Sequence, residues 1–146
     1  MIYPFHSPFG TLSYAWNGKL CRHIWLGQLK TAEAAQDDPV SQWLNAYFAG
    51  NLLPLPPLDK PATPFQAKMR AELLTIPAGT VRTYGDLAVK LGTSPRAMGQ
   101  ALGANPLPIL IPCHRVVAAN GLGGFSCGLD WKKKLLQIEK ALQPSA

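Results

Sequence analysis

Charged residues are scarce in this sequence, and it has no long hydrophobic run. Charged residues make up 15% of the 146 residues and hydrophobic residues 47%, which is typical of a globular protein and excludes a disordered one. No apolar stretch approaches the roughly 18–20 residues of a membrane-spanning helix. The first residues lack the basic start and apolar centre of a signal peptide. We therefore expect a protein of the cytoplasm, or of the nucleus in a eukaryote, with no membrane partner.

Cysteine is also rare, since the sequence contains only Cys21, Cys113 and Cys127. Their odd number and the lack of a Cys-x-x-Cys pair exclude a secreted disulfide framework, a zinc ribbon and a thioredoxin motif, and leave at least one thiol free. Cys21 and His23 fall on one face of a predicted strand, and His6 is a third candidate ligand, but a zinc site normally takes four ligands. We expect no metal site and interpret Cys21 as a buried structural residue.

Acidic residues are few in the second part of the chain. Residues 1–60 carry four basic and four acidic residues, whereas residues 61–146 carry ten basic and four acidic ones, so the net charge of +6 lies entirely there. This asymmetry suits a polyanionic partner such as nucleic acid, although a basic surface that serves only solubility would look the same.

Alternating apolar residues predict a small antiparallel sheet near the N-terminus. Residues 11–16 and 20–26 alternate in the manner of strands, and the Asn-Gly pair between them favours a hairpin turn. A third strand is expected near 1–6. Apolar residues spaced by three and four predict a helix over 39–49.

The prolines mark a boundary. Five of them lie within 54–64, a density that no helix or central strand tolerates, and this segment is interpreted as a stiff, extended connector. The predicted domains are therefore 1–53, a small α/β domain, and 65–146, which would carry the functional site.

The second domain is predicted to be helical. One helix begins at Pro64. Thr83 and Ser94 are predicted N-caps of the next two helices, and Gly92 in the short turn between them ends the first of that pair, which is a helix-turn-helix pattern. A last helix is expected over 130–142. The predicted fold class is α+β, with a small N-terminal antiparallel sheet domain and a C-terminal helical, winged helix-turn-helix-like domain.

One cysteine stands in a setting that favours reactivity. Cys113 lies between Pro112 and the pair His114-Arg115, and cationic neighbours lower the pKa of a thiol and so favour the nucleophilic thiolate. A buried cysteine, however, is more often an inert apolar residue. Adjacent side chains often point apart, so the Cys-His pair alone does not make His114 the base. Local chemistry leaves both interpretations of Cys113 open.

Gly99 lies inside the second helix of the predicted pair, where glycine costs about 1 kcal/mol relative to alanine. Two reasons would justify it: the close approach of a bulky partner, or tight packing against a neighbouring helix. The sequence does not decide between them.

The segment from Ile111 to Val117, IPCHRVV, resembles the active-site signature of the O6-alkylguanine-DNA alkyltransferases, also called methylated-DNA–protein-cysteine methyltransferases. Other strings stand in that family's order and spacing: TPFQ at 63–66, IP at 76–77, GTV at 79–81, TYGDLA at 83–88 and GANP at 103–106. The resemblance is strong over about 63–140 and weaker over 1–50.

The resemblance implies catalytic roles for four residues. Cys113 would be the nucleophile and the permanent alkyl acceptor, and His114 would deprotonate it through a water. Glu139 on the last helix would orient His114, and Asn105 would brace the turn that contains the cysteine. The resemblance implies one turnover per molecule, with no metal and no organic cofactor.

The implied partner is double-stranded DNA containing O6-alkylguanine, bound by a monomer that rotates the damaged base out of the helix. Tyr84 would crowd the 3′ phosphate, and Arg96 would fill the gap left in the base stack. Small residues on the Arg96 helix would let it enter the minor groove; they are Ala97, Gly99, Ala101 and Gly103. The remaining predicted substrate-binding or DNA-binding residues are Pro108, Arg115, Val116, Phe125 and Ser126.

The chain departs from the family pattern at two places near this pocket. Phe125 stands where the family usually has tyrosine, and Cys127 replaces a residue that is usually small. Cys127 is either a bystander or an oxidation partner of Cys113. The run 132–134, three lysines, is interpreted as a solvated helix face, with a phosphate contact as the alternative.

Three other functions compete with alkyl transfer. A lesion-binding relative would keep the fold but replace the nucleophile, which is intact here as Cys113. A winged-helix transcription factor would explain the charge but not the reactive cysteine segment. A Cys-His hydrolase would turn over repeatedly on small esters and need no DNA.

Restoring the phenolic hydroxyl should speed alkyl transfer. Phe125→Tyr adds back a hydrogen bond worth about 0.5–1.5 kcal/mol net, which corresponds to roughly a two- to tenfold faster transfer rate. Single-turnover kinetics on an O6-methylguanine duplex measures this. An unchanged rate would show that the hydroxyl has no part in the reaction.

Overall fold

The computed structural model describes residues 1–140, and its contacts divide the chain into two compact units, Met1–Asp59 and Lys60–Ala146. The division falls inside the predicted proline-rich connector. Strands are concentrated in the first unit and helices in the second, so the fold is α+β, as predicted. Within residues 1–140, no helix has both the length and the apolar content to cross a membrane.

The first unit is a three-stranded antiparallel sheet with one helix, as the alternation and helical spacing predict. Its elements are β1 (Ile2–Ser7), β2 (Gly10–Trp16), β3 (Cys21–Leu26) and α1 (Pro39–Phe48). The strand order is β1-β2-β3, and Tyr14 in the central strand faces Tyr3 on one side and Ile24 on the other. Leu12, Tyr14 and Ile24 are buried and form the sheet's part of the core.

A buried carboxylate fixes the start of α1. Asp38 is the N-cap: its side chain accepts from the Ser41 backbone amide at 2.8 Å, and the Ser41 hydroxyl accepts from the Asp38 amide at 2.9 Å. The Tyr14 hydroxyl donates to the same carboxylate at 2.6 Å. Burial and the neighbouring Asp38 raise the pKa of Tyr14. These bonds join the helix start to the central strand.

Part of the predicted connector pairs with the sheet. The Cys21 amide donates to the Pro57 carbonyl, and the Asp59 amide donates to the Cys21 carbonyl, both at 2.9 Å. Leu58 thereby forms a parallel bridge with Cys21. The prolines on the N-terminal side of this bridge belong to no helix or strand.

Over residues 60–140, the second unit holds four helices and a short parallel ladder. Its elements are α2 (Pro64–Leu73), β4 (Arg82–Thr83), α3 (Tyr84–Leu91), α4 (Pro95–Gly103), the 3-10 turn Cys113–Arg115, β5 (Val116–Val117) and α5 (Leu129–Lys140). β4 pairs in parallel with β5. Residues 141 and 142 of the predicted last helix lie outside the described residues.

The helix-turn-helix forms as its capping residues predict. The Thr83 and Ser94 side chains each accept a backbone amide in the first turn of α3 and α4, and Gly92 ends α3 in the left-handed conformation at φ 69°. Each cap of this kind stabilises a helix by about 1 kcal/mol. Met98 and Leu102 turn one face of α4 into the core and leave the opposite face open.

Removing the Asp38 carboxylate should destabilise the first unit. Asp38→Ala loses the α1 cap and leaves the buried Tyr14 hydroxyl without that acceptor, which together cost about 2–4 kcal/mol. Denaturant unfolding followed by tryptophan fluorescence measures the loss. Asp37→Ala, at the exposed neighbouring carboxylate, is the matched control and should unfold as the wild type does. Equal effects of both substitutions would contradict the assignment.

Candidate active site

A pocket of about 490 Å³ opens in the second unit, and Cys113 lies in its wall. It is lined by Tyr84, Pro95, Arg96, Gly99, Leu102, Gly103, Cys113, Gly124, Phe125 and Ser126. Seven of these residues are predicted from the sequence: Cys113, Tyr84, Arg96, Gly99, Gly103, Phe125 and Ser126. Side chains that are distant along the chain therefore converge on one thiol.

The backbone that presents Cys113 is held by one asparagine. Asn105 donates from its side chain to the Ile111 carbonyl at 3.0 Å and accepts from the Leu107 amide at 3.1 Å. Between these two contacts, Ile109 adopts a φ of 73°, a left-handed conformation that is costly for a β-branched residue. Ile109 is also buried, so packing and the Asn105 bonds together hold the strained turn in place.

The environment of the Cys113 thiol is mostly apolar. Only 7% of the residue is exposed, and burial raises its pKa to about 11. A hydrogen bond from the Asn105 side chain and the positive charge of Lys132 act in the opposite direction, whereas a charge on the half-buried Cys127 would raise the pKa further. At neutral pH the resting thiol is protonated, so its reaction as a nucleophile requires a base.

His114 and Glu139 form a buried hydrogen-bonded pair. The His114 Nε2 lies 2.6 Å from the Glu139 Oε2, and neither side chain is exposed. Burial alone would raise the pKa of Glu139, but the bonds from His114 and Arg115 outweigh it and hold the pKa at about 2. Because an ionised carboxylate only accepts, the Nε2 carries the proton.

The other ring nitrogen of His114 is left as an acceptor. Burial lowers the pKa of His114, and Glu139 opposes that effect only in part. The buried Nδ1 has no hydrogen-bond partner among the side chains and backbone of residues 1–140. A neutral imidazole with its proton on Nε2 has a free lone pair on Nδ1, which is the form of histidine that acts as a general base.

Arg115 lies elsewhere than the sequence predicts. Instead of facing DNA or substrate, its guanidinium makes two bonds to Glu139, from Nε to Oε1 at 2.9 Å and from Nη2 to Oε2 at 2.8 Å. Its Nη1 donates to the Ile76 carbonyl at 2.7 Å. A guanidinium and a carboxylate match in this two-point geometry, so Arg115 neutralises Glu139 and fixes its orientation.

Lys132 contradicts the interpretation of 132–134 as a solvated face. Lys133 and Lys134 are exposed, but Lys132 is fully buried. Its ammonium group donates to the Val116 carbonyl at 2.7 Å and to the Gly124 carbonyl at 2.9 Å. The helical period could have predicted this burial, because Lys132 precedes the buried Leu135 by three residues and Glu139 by seven.

Tyr84 and the segment 121–128, here called the glycine loop, also contribute to the lining of the pocket. The Tyr84 hydroxyl donates to the Gly124 carbonyl at 3.0 Å. Gly123 has a φ of 72°, and a Cβ atom there would lie 2.6 Å from the Tyr84 ring, so only glycine fits. The loop is thus bound to α3 through its backbone, and Phe125 and Ser126 follow at the pocket.

The open face of α4 bears Arg96, Gly99 and Gly103. A Cβ atom added at either glycine would meet no atom of residues 1–140 within 4 Å, so packing against a neighbouring helix does not explain Gly99. The two glycines thus leave this face of α4 open. Ala97 is half-buried and does not line the pocket.

Two predicted pocket residues lie behind the wall instead. Pro108 and Val116 are buried and do not line the pocket, because the 107–111 segment and β5 pack into the core. Pro95, Leu102 and Gly124 line it although the sequence does not single them out. Their only signal is their position next to predicted pocket residues on the same helix or loop.

Known proteins resemble this chain in both sequence and fold. The family model for the DNA-binding domain of 6-O-methylguanine DNA methyltransferase matches residues 64–141. A methylated-DNA–protein-cysteine methyltransferase of Mycobacterium tuberculosis is 37% identical over an alignment that covers 95% of this chain and 92% of that protein. The chain belongs to this family.

Other members extend the comparison. A relative of the same name from Saccharolobus solfataricus is 46% identical over 97 residues, 66% of this chain, and this alignment spans 64% of the archaeal protein. A crystal structure of Mycobacterium tuberculosis OGT in complex with DNA matches with a TM-score of 0.82 at 35% identity, over 98% of this chain and 94% of that one. The methyltransferase of Pyrococcus kodakaraensis matches with a TM-score of 0.70 at 30% identity, over 95% and 99% of the two chains. The methyltransferase fold therefore covers nearly the whole chain.

Removing the Arg115 guanidinium should destabilise the second unit strongly. Arg115→Met leaves the buried Glu139 carboxylate without its cation, and breaking such a pair costs about 3–5 kcal/mol. Denaturant unfolding measures the loss. Arg82→Met removes an exposed arginine and should leave the unfolding midpoint unchanged.

The same ion pair predicts a pH dependence. The pKa of Glu139 falls from its usual 4.5 to about 2 on folding, so the stabilisation is complete above pH 4.5 and is lost as the pH falls towards 2. In Arg115→Met burial is opposed by His114 alone, so the folded-state pKa of Glu139 should lie closer to 4.5 and this acid loss should be smaller. An Arg115→Met protein with the stability and acid limb of the wild type would contradict the assigned role.

Proposed function

We propose that this protein repairs DNA by transferring an alkyl group, typically methyl, from the O6 of an alkylguanine in duplex DNA to Cys113. The transfer is irreversible and occurs once per molecule. The observation that carries the proposal is the position of Cys113 in the wall of an open pocket, directly before the buried His114–Glu139 pair. The named activity of the relatives supports the same reaction.

The reaction begins with the thiol proton. His114 accepts it on Nδ1 through a water, and the ionised Glu139 stabilises the imidazolium that forms. The Cys113 thiolate then attacks the alkyl carbon, a new S–C bond forms, and the C–O6 bond breaks with its electron pair moving to O6. The guanine anion takes up one proton and becomes neutral guanine, and the His114 imidazolium gives up the thiol proton, so that the charges balance. The thioether left on Cys113 is stable, so the site cannot turn over again.

The alkylated oxygen lies inside the duplex, and the target base must therefore rotate out of the stack. The open face of α4 approaches the minor groove because Gly99 and Gly103 present no side chain there. Arg96, exposed at the pocket mouth, fills the gap in the stack, and Tyr84 crowds the 3′ phosphate. Asn105 keeps the cysteine turn in place while the base enters.

Phosphate contacts supply most of the affinity and no sequence preference. The excess positive charge of residues 61–146 suits this role. We further propose that the protein acts as a monomer, in the cytoplasm or in a eukaryotic nucleus, and that it needs no metal or organic cofactor. The chemistry is complete with one thiol, one base and a substrate whose alkyl–oxygen bond breaks with guanine as the leaving group.

The decisive experiment weighs the intact protein after incubation with duplex DNA containing O6-methylguanine. A gain of one methyl group, never more than one per chain, is expected for the wild type. Cys113→Ser should gain none. Cys127→Ser removes the other thiol of this unit and should still gain one methyl group, since Cys127 does not line the pocket.

Each competing function gives a different result in this experiment. Tight lesion binding without a gain in mass would indicate a non-transferring lesion sensor. Equal affinity for damaged and undamaged duplex, again without a gain, would indicate a transcription factor. Repeated hydrolysis of small esters in the absence of DNA would indicate a Cys-His hydrolase.

A further inference from the structure

A second cavity, of about 510 Å³, opens in the second unit and is called the α5 groove below. Within residues 1–140, no residue lines both this groove and the pocket of Cys113. Its volume lies in the range of roughly 300–1,000 Å³ that is usual for ligand sites. One wall comes from Gly79 and Val81, in the GTV segment to which the alkyl transfer assigns no role, and another from Leu122 in the glycine loop.

The remaining wall is one face of α5. Its lining residues follow the spacing i, i+3, i+4 and i+7 and therefore lie in a row along the helix; they are Lys133, Leu136, Gln137 and Lys140. The two lysines are exposed at the ends of this row, and Leu136 is half-buried between them. Seven residues of α-helix place the lysine positions about 10 Å apart along the axis.

The floor of the α5 groove is apolar and partly open to solvent. Val81 is 44% exposed, and Leu122 and Leu136 are half-buried. Single exposed apolar residues are common on protein surfaces. Here, however, three of them from separate parts of the chain meet in one concavity. An apolar patch with a polar rim is the usual form of a site that binds another protein.

The charge at the rim of the groove has a single sign. Within residues 1–140, no Asp or Glu lines the groove, and neither Lys133 nor Lys140 makes a hydrogen bond or an ion pair. The neighbouring carboxylate of Glu139 is buried and bound to His114 and Arg115. The groove therefore presents two cations beside an apolar floor, and a molecule complementary to it carries two anionic groups and an apolar one between them.

We propose that the α5 groove binds an acidic amphipathic helix of a partner protein. Two carboxylates of that helix, seven residues apart, pair with Lys133 and Lys140. Large apolar side chains at the third and fourth positions between them enter the apolar floor. The spacing matches because two helices that lie side by side have the same rise per residue. This interaction is independent of the alkyl transfer proposed above.

The apolar floor distinguishes this partner from DNA. Phosphates would match the two lysines equally well, since a duplex backbone is an anion. Phosphate and sugar contacts, however, are mostly hydrogen bonds and charge pairs, and they would leave Val81, Leu122 and Leu136 without an apolar partner. A helix with apolar side chains between its carboxylates satisfies both parts of the groove.

The test uses a synthetic, fluorescein-labelled peptide that is stabilised as a helix. It carries two glutamates seven residues apart and leucines at the third and fourth positions between them. Fluorescence anisotropy with the intact protein measures its affinity. One control peptide has glutamine in place of both glutamates, and a second has alanine in place of both leucines. Each control should bind at least about fivefold more weakly, because it lacks one half of the complementarity.

Substitutions in the protein locate the binding at the groove. Lys133→Glu should weaken binding of the glutamate peptide about five- to tenfold, and added salt should reduce this difference. Lys134→Glu makes the same change of charge on the same helix but outside the groove, and should have little effect. Val81→Ser, which removes part of the exposed floor, should weaken binding about threefold.

A reversal of charge on both sides separates pairing from loss of folding. A peptide with lysines in place of its glutamates should bind the double variant Lys133→Glu, Lys140→Glu more tightly than it binds the wild type. A misfolded variant would not gain affinity for this peptide in particular. An unchanged preference for the glutamate peptide would contradict the assignment of the two lysines.

Three further results would overturn the proposal. The first is no binding of the glutamate peptide up to about 1 mM, or equal binding of all three peptides. The second is a Lys133→Glu protein that binds the peptide normally but has a lower affinity for undamaged duplex, and a lower salt dependence, than Lys134→Glu; it would indicate a phosphate contact. The third is a wild-type dimer in sedimentation velocity that Lys133→Glu converts to a monomer, which would indicate a second copy of this chain.

Discussion

Glu139 reaches from the last helix to the turn that carries Cys113, and its buried carboxylate is bound by His114 and by Arg115. A carboxylate in this position needs full compensation, since removal from water costs several kcal/mol. The two partners of Glu139 have different roles, and this difference decides the chemistry of the site. Arg115 supplies the charge, and His114 can therefore stay neutral while it donates from Nε2. If His114 had to supply the charge instead, its Nδ1 would carry a proton and could not act as a base.

The positions of Cys113 and His114 depend on a strained backbone turn nearby. Ile109 is left-handed although it is β-branched, and Asn105 bridges the chain on both sides of it. This turn sets where the next residues emerge, so Cys113 faces the pocket while His114 faces the core. The two adjacent side chains point apart, as neighbours in a chain commonly do. The water-mediated proton transfer proposed above does not require the two side chains to touch.

The sequence was sufficient for what local rules control. The strands, the capped helices and the cysteine segment follow from alternation, from residues such as Thr83 and Ser94, and from resemblance to a known family. The sequence was insufficient for side chains whose positions depend on long-range packing. Arg115 directly follows His114, yet it turns inward to Glu139, 24 residues away. Lys132 stands among lysines that are exposed, and only its helical phase relative to Leu135 and Glu139 distinguishes it. The sequence suggested DNA or substrate as the partner of Arg115 and solvent around Lys132, because nothing local shows which carboxylate or carbonyls the fold will bring near.

Burial of the Cys113 thiol has two opposite consequences for its reactivity. Removal from water raises the pKa of the thiol to about 11 and keeps it protonated at rest, which shields it from solution electrophiles and oxidants. The same low polarity strengthens every remaining electrostatic interaction, so the Asn105 bond and the Lys132 charge count for more here than at a surface. A few fixed polar groups in an apolar wall therefore control the protonation, and with it the reactivity, of the Cys113 thiol.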